Sequence, residues 1–177
     1  NTMTTYGRMP LPLAIVALLL LCAVLAGYHA AFAWLLRIGH ARFGCPAWLV
    51  PALAAGLWTA LELLRTLLFS GFPWLLLGYS QYRQETIRLL ASLTGVYGIS
   101  ALLVWLNAAI AESIRALRSA RPPERPLRVV LTTLVPAALL LAGVVGYGAL
   151  VWRDTANGPA LRVGLLQGNI DQSLKWE

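Results

Sequence analysis

Glu62 and Arg65 stand three residues apart inside the apolar run 48–69, and an α-helix carries residues at that spacing on one face. An ionised group at the centre of a membrane helix costs about 2.5–3.5 kcal/mol on insertion scales and more on others, so the two charges are expected to neutralise each other. Their place toward one end of the run leaves two roles open: a pair that pins the helix to its neighbours, or a pair that shapes a pocket and touches substrate. The next segment, Ser70-Gly71-Phe72-Pro73-Trp74-Leu75-Leu76-Leu77-Gly78-Tyr79-Ser80-Gln81, combines helix breakers with side chains too apolar for a wet loop. It is expected to re-enter the membrane or lie at its interface, the depth that Trp and Tyr prefer. That suits interfacial anchoring, and it also suits a surface that admits lipid acyl chains.

Other reactive side chains are isolated. His29 has no second His, Cys or carboxylate at ligand spacing, so it predicts packing or one interhelical hydrogen bond and no metal. Cys22 lies in the middle of one apolar run and Cys45 near the start of the next, at different depths, which argues for two apolar packing residues and against a disulfide. Asn107 and Glu112, near one end of a third run, are expected to meet water or basic loops. No nucleophile with a base and an orienting partner can be assembled, and there is no phosphate-cradling glycine loop. Neither a cofactor nor a metal is expected.

The elements that hold these residues follow from composition. With 59% hydrophobic and 12% charged residues among 177, the chain is too apolar for an ordinary soluble surface. Its net charge of +7 gathers in clusters between apolar runs, the pattern of membrane topology and not of nucleic-acid binding. Four runs reach the roughly 20 residues that a membrane crossing needs: 11–36, 48–69, 89–113 and 129–152. Backbone groups in lipid must be satisfied within the segment, so the fold class expected is an all-α polytopic membrane bundle over residues 1–152. No small-residue cleavage site follows the first run, against a removed signal peptide.

Arg37, His40 and Arg42 separate the first two runs, and Arg115, Arg118, Arg121, Arg125 and Arg128 face a single Glu124 between the last two. The positive-inside bias puts both connections in the cytoplasm, so 70–88 and the residues after 152 face outward, although Arg83 and Arg88 lie in that outer loop. Arg121-Pro122-Pro123-Glu124-Arg125-Pro126 is expected to be a stiff turn, its arginines serving topology and lipid headgroups. Residues 153–160 are rich in breakers and read as a linker. Residues 161–167 read as a strand, the opening of a soluble domain over 161–177. Both ends of the chain look like cuts in a longer protein, and no internal repeat of the transporter kind is evident.

Gly71-Phe72-Pro73-Trp74 followed by Gly78-Tyr79-Ser80-Gln81 resembles the outer-loop motif of apolipoprotein N-acyltransferases. The terminal stretch from Val163-Gly164-Leu165-Leu166-Gln167-Gly168-Asn169 to Trp176 resembles the opening of that family's α/β nitrilase-like (carbon–nitrogen hydrolase) domain. Thr5-Tyr6-Gly7-Arg8-Met9-Pro10, with Arg8 where glycine is more usual, and Glu62-Leu63-Leu64-Arg65 are weaker echoes. The resemblance implies a bacterial inner-membrane enzyme that takes an acyl chain from a phospholipid as a thioester on a Cys. It then passes the chain to the α-amino group of the diacylglyceryl-cysteine of an apolipoprotein, with a Glu as base and a Lys at the oxyanion. Those catalytic Glu, Lys and Cys lie beyond Glu177 in such proteins, so no catalytic residue is expected in this chain. Trp176 falls where the family has a functionally required Trp, and Gly71, Phe72, Pro73 and Trp74 fall in the loop facing the active-site entrance. Two alternatives remain at this point: another nitrilase-like membrane amidase or acyltransferase, and a transporter or scaffold bundle without catalysis. The few polar residues inside the runs argue against transport.

Overall fold

The structure, a computed structural model, describes residues 2–5, 7–68, 71, 73–119, 126–156 and 162–167. Its regular elements are all helical: α1 (Thr2–Thr5), α2 (Leu11–Phe43), α3 (Val50–Leu67), a 3-10 helix (Leu77–Gln81), α4 (Glu85–Arg88), α5 (Ala91–Arg118) and α6 (Pro126–Ala156). Among the described residues four of these, α2, α3, α5 and α6, are long and apolar enough to cross a membrane.

Two compact units divide the chain, Asn1–Ala31 with Pro159–Glu177, and Phe32–Gly158. In the first, the Met9 N–H reaches back to the Met3 carbonyl at 3.1 Å and the Ala14 N–H to that of Pro10 at 3.0 Å, joining α1 to the start of α2. His29 Nδ1 bonds the Leu25 carbonyl of its own helix at 3.0 Å, so the polar atom is satisfied one turn back. Residues 162–167 are exposed and carry no regular structure. The strand expected at 161–167 is therefore not formed among the described residues: a strand is stabilised by ladder bonds to a neighbour, and no second strand is described.

The second unit holds the packed core. Ala54 and Ala109 are fully buried and Ala55, Ala116 and Ala137 nearly so; small residues at such positions let helix backbones approach in a solvent that offers no hydrophobic drive between helices. α2 meets α3 through Phe32 and Trp58, edge to face with ring centroids 5.1 Å apart. α5 and α6 run antiparallel and are joined at both ends by hydroxyls. Ser92 at the start of α5 meets Tyr147 Oη late in α6 at 2.9 Å, and Ser113 late in α5 meets Thr133 early in α6 at 2.9 Å. Gly71 and the residues from Pro73 to Leu90 thus sit at the same end of this unit as the C-terminal half of α6.

At their C-terminal ends α2, α5 and α6 outrun the apolar runs, whereas α3 falls short of the run 48–69 at both ends. α2 continues to Phe43 through Arg37, His40 and Arg42, and stops at Gly44 (φ 56°) before Pro46; long basic side chains extend a helix into the headgroups without burying their charge. α5 runs on to Arg118, with Arg115 bound to Glu112 at 2.6 Å, and is broken near its start at Gly95 (φ 65°, ψ −172°). Asn107 Nδ2 donates to the Leu103 carbonyl at 2.8 Å. α6 stays helical to Ala156, into the stretch expected as linker, whose remainder from 157 to 160 lies outside the described residues, as does the proline-stiffened turn up to Arg125. The short helix α4 ends just before the third run, whose first residues, Leu89 and Leu90, form a turn leading into α5.

At Gly148 the backbone of α6 touches α4 so closely that a β-carbon would collide with the Thr86 carbonyl oxygen. Gly148→Leu should therefore push α4 off α6 and cost about 1–3 kcal/mol, the usual scale for overpacking. Thermal unfolding of the purified protein in detergent checks this; an unchanged midpoint would mean that α4 does not depend on that contact.

Candidate functional site

The loop after α3 is built by polar side chains of two membrane helices that bind its backbone. Glu62 and Arg65 are 3% and 8% exposed, and they do not bond each other. Glu62 Oε1 accepts the Leu77 N–H at 2.7 Å. Arg65 Nη2 donates to the Leu75 carbonyl at 3.3 Å. From α5, Ser100 Oγ, wholly buried, accepts the Gly78 N–H at 2.9 Å. The loop backbone from Leu75 to Gly78 is thereby held at three points, and one atom of each charged group meets a backbone dipole end of opposite sign, while Glu62 Oε2 and Arg65 Nε have no partner among the described residues. The direct ion pair expected from helical spacing is replaced by this arrangement, because a peptide N–H and a peptide C=O need partners at that depth as much as the charges do.

The Glu62 bond also serves a helix end. Leu77 opens the 3-10 helix, whose first N–H groups have no partner within it, and a carboxylate at such an end is favoured by the local dipoles. Leu75 stands in the left-handed region at φ 57°, which costs a residue with a side chain on the order of 1–3 kcal/mol. The Arg65 bond to its carbonyl holds it there. Leu76 is 3% exposed and faces inward, whereas Trp74 and Leu75 are 69% and 78% exposed, so the loop ends in an outward apolar tip. Tyr97 Oη donates to Thr66 Oγ1 at 3.0 Å, tying α5 to the last turn of α3.

Gly71 is required by the turn itself. Its φ is +83°, and a β-carbon there would strike the Thr66 carbonyl oxygen; its N–H bonds the Leu68 carbonyl at 2.9 Å. The structure thus brings Gly71, Pro73, Trp74, Glu62 and Arg65 to one end of the second unit. Phe72 and Trp176 lie outside the described residues. Ser100 was not singled out by sequence reasoning, and the signal for it was slight, a small hydroxyl in an apolar helix whose partner is 22 residues away. Among the described residues no group of three or more His, Cys, Asp or Glu could hold a metal ion, and Cys22 and Cys45 are free thiols.

Four membrane-length helices, with a loop folded onto buried charges at one end, define a multi-pass helical membrane protein. Comparison with known proteins narrows this. A family model described as the apolipoprotein N-acyltransferase N-terminal domain matches residues 1–109, more than half of the chain, and the chain belongs to that family. Among curated relatives, the apolipoprotein N-acyltransferase of Geobacter metallireducens is 37% identical over 174 residues, covering 98% of this chain and 32% of the relative. That of Nitrosomonas europaea is 36% identical over 172 residues, covering 97% and 32%. That of Azotobacter vinelandii is 40% identical over 173 residues, covering 97% and 31%. The chain therefore spans about a third of the length of these relatives. No solved structure matches it.

Removing one prong of the clamp strands a buried backbone group. Glu62→Ala should cost about 1–3 kcal/mol, the penalty of an unsatisfied buried donor, and Glu62→Gln much less, since its amide oxygen still accepts the Leu77 N–H. Because Glu62 and Arg65 hold one three-residue stretch, the double alanine variant should cost less than the sum of the two single ones. A thermal double-mutant cycle in detergent reads both, and strict additivity would show that the two side chains act independently.

Proposed function

We propose that the full-length protein is an apolipoprotein N-acyltransferase of the bacterial inner membrane. It moves an acyl chain from a phospholipid to the α-amino group of the diacylglyceryl-cysteine of an apolipoprotein. Membership of the family supports this reading. The observation on which the role of this chain rests is the apolar tip, Trp74 and Leu75, held outward by Glu62, Arg65 and Ser100. Such a tip presents hydrocarbon-like surface at the end of the bundle, where an acyl chain leaving the bilayer needs contact. On this reading residues 1–152 are the lipid-facing platform, and 161–177 open a nitrilase-like domain outside the cytoplasm that carries the family's Glu, Lys and Cys beyond this chain.

The reaction divides into two balanced steps. The Cys thiolate attacks the phospholipid ester, forming a thioester and releasing lysophospholipid; the lipoprotein amine then attacks the thioester, forming an amide and restoring the thiol. Both substrates are anchored in lipid, which is why the chemistry needs a membrane platform. Gly71, Phe72, Pro73, Trp74 and Trp176 are assigned to the entrance through which the acyl chains pass.

Acylation of a synthetic diacylated lipopeptide by the purified full-length protein tests the assignment. Trp176→Ala should lower transfer about tenfold or more, on the scale of a lost large apolar contact. Gly71→Leu should impair it too, since the turn cannot accept a side chain. Wild-type rates in both variants, at unchanged expression and thermal stability, would remove these residues from the site.

Sidedness is tested separately. In a background without Cys22 and Cys45, single cysteines at Ser119 and Asn157 should be labelled by an impermeant reagent from opposite sides of the membrane, Ser119 from the cytoplasm. Labelling of both from one side would refute the arginine-based topology.

A further inference from the structure

Arg83 and Arg88 run against the charge bias that orients the chain, because they lie in the loop placed opposite the arginine-rich end. Their geometry is organised around one residue. Arg83 Nε donates to Tyr82 Oη at 2.7 Å and its guanidinium lies 5.3 Å from the centre of the Tyr82 ring. Arg88 Nη1 donates to the Tyr82 carbonyl at 3.3 Å. Both side chains are exposed, and Glu85, which opens the same short helix as Arg88, pairs with neither. Each guanidinium keeps donors that no acceptor among the described residues takes up: Nη1 and Nη2 of Arg83, and Nη2 and Nε of Arg88.

Depth narrows what those donors meet. The Thr86 carbonyl lies against Gly148 of α6, and Trp152, the last residue before the charged Arg153-Asp154, is four residues further along that helix. At about 1.5 Å of rise per residue, α4 sits roughly 6 Å inside the point where α6 turns polar. From there a long exposed arginine side chain can reach the headgroup layer. Arg83 and Arg88 follow the apolar tip at Trp74 and Leu75 by 8 and 13 residues, and a planar guanidinium fork matches phosphate, the anion that every phospholipid headgroup carries.

We propose that Arg83 and Arg88, gathered on Tyr82, bind the phosphate of a phospholipid headgroup in the leaflet at this end of the bundle. The site holds the acyl donor with its chains toward the tip. Naming that lipid as the donor rests on the acyltransferase reading; the phosphate site itself does not.

The test uses the full-length protein in neutral detergent, titrated with dioctanoyl phosphatidylglycerol, with dioctanoylglycerol and with inorganic phosphate, and read by tryptophan fluorescence. The phospholipid should bind, and dioctanoylglycerol should bind far more weakly. Arg83→Ala and Arg88→Ala should each weaken the phospholipid about fivefold and together about 25-fold, at roughly 1 kcal/mol for each interfacial arginine. The lysine variants should recover part of this, since they keep the charge and lose the fork. In turnover, KM for the phospholipid should rise in the double alanine variant, with kcat and the KM for lipopeptide unchanged. Equal phospholipid binding by wild type and variants overturns the site. Inorganic phosphate binding as tightly as the phospholipid overturns its assignment to a lipid headgroup. Weakened phospholipid binding with an unchanged donor KM leaves a lipid site and overturns its role in holding the donor. Full arginine-dependent binding by a protein that transfers no acyl chain keeps the phosphate site and refutes the acyltransferase reading instead.

Discussion

A carboxylate and a guanidinium on an apolar helix need partners other than water, and in this protein the loop after α3 supplies one to each, leaving Glu62 Oε2 and Arg65 Nε without a partner among the described residues. Glu62 accepts a hydrogen bond from the Leu77 N–H and Arg65 donates one to the Leu75 carbonyl, while Ser100 accepts from the neighbouring N–H of Gly78. The requirement is mutual. A non-helical segment inside the membrane has peptide groups to satisfy, and lipid offers nothing to bond them. Charges that would be a liability on a bare helix become the means by which that segment folds at one end of the bundle.

Much of the neighbouring architecture is compatible only with that placement. Gly71 reverses the chain within hydrogen-bond distance of the last turn of α3, and Gly78 allows the 3-10 helix to lie directly on α5, where a β-carbon would be only 2.5 Å from the Val96 carbonyl oxygen. Tyr97 bridges back to Thr66, and the Ser92–Tyr147 bond brings α6 to the same end. At the opposite end Ser113 and Thr133 close the α5–α6 pair. Hydroxyl pairs at the two ends and alanines between them form an interface that does not depend on apolar complementarity alone, as expected where the solvent is itself hydrocarbon.

The same loop separates two kinds of surface. Trp74 and Leu75 project as an apolar tip, and further along the chain Arg83 and Arg88 converge on Tyr82. An acyl chain and a phosphate are the two halves of a phospholipid, and a surface offering a partner to each suits a protein whose family name describes acyl transfer to a lipid-bearing protein. On the proposed reading, the part played by the residues described is the placement of lipid.

Helical class and the approximate position of all four spans were legible from residue order. Runs of about 20 apolar residues admit no other backbone in lipid, and Gly71 and Pro73 mark a break in the helix whatever the packing. Family resemblance was legible in the same segment and was matched over residues 1–109. Helix ends were not, because arginines and histidines beyond the apolar run extend a helix as readily as they end one; α2 and α6 therefore continue past the limits that hydropathy set. Nor was the partner of each buried polar group. Spacing of three residues places Glu62 and Arg65 on one face, but whether they bond each other or the chain depends on where a loop 10 and 15 residues away returns. Ser100 meets Gly78 across 22 residues for the same reason. Local sequence sets which groups need a partner, and only the folding of distant segments onto one another sets which partner they find.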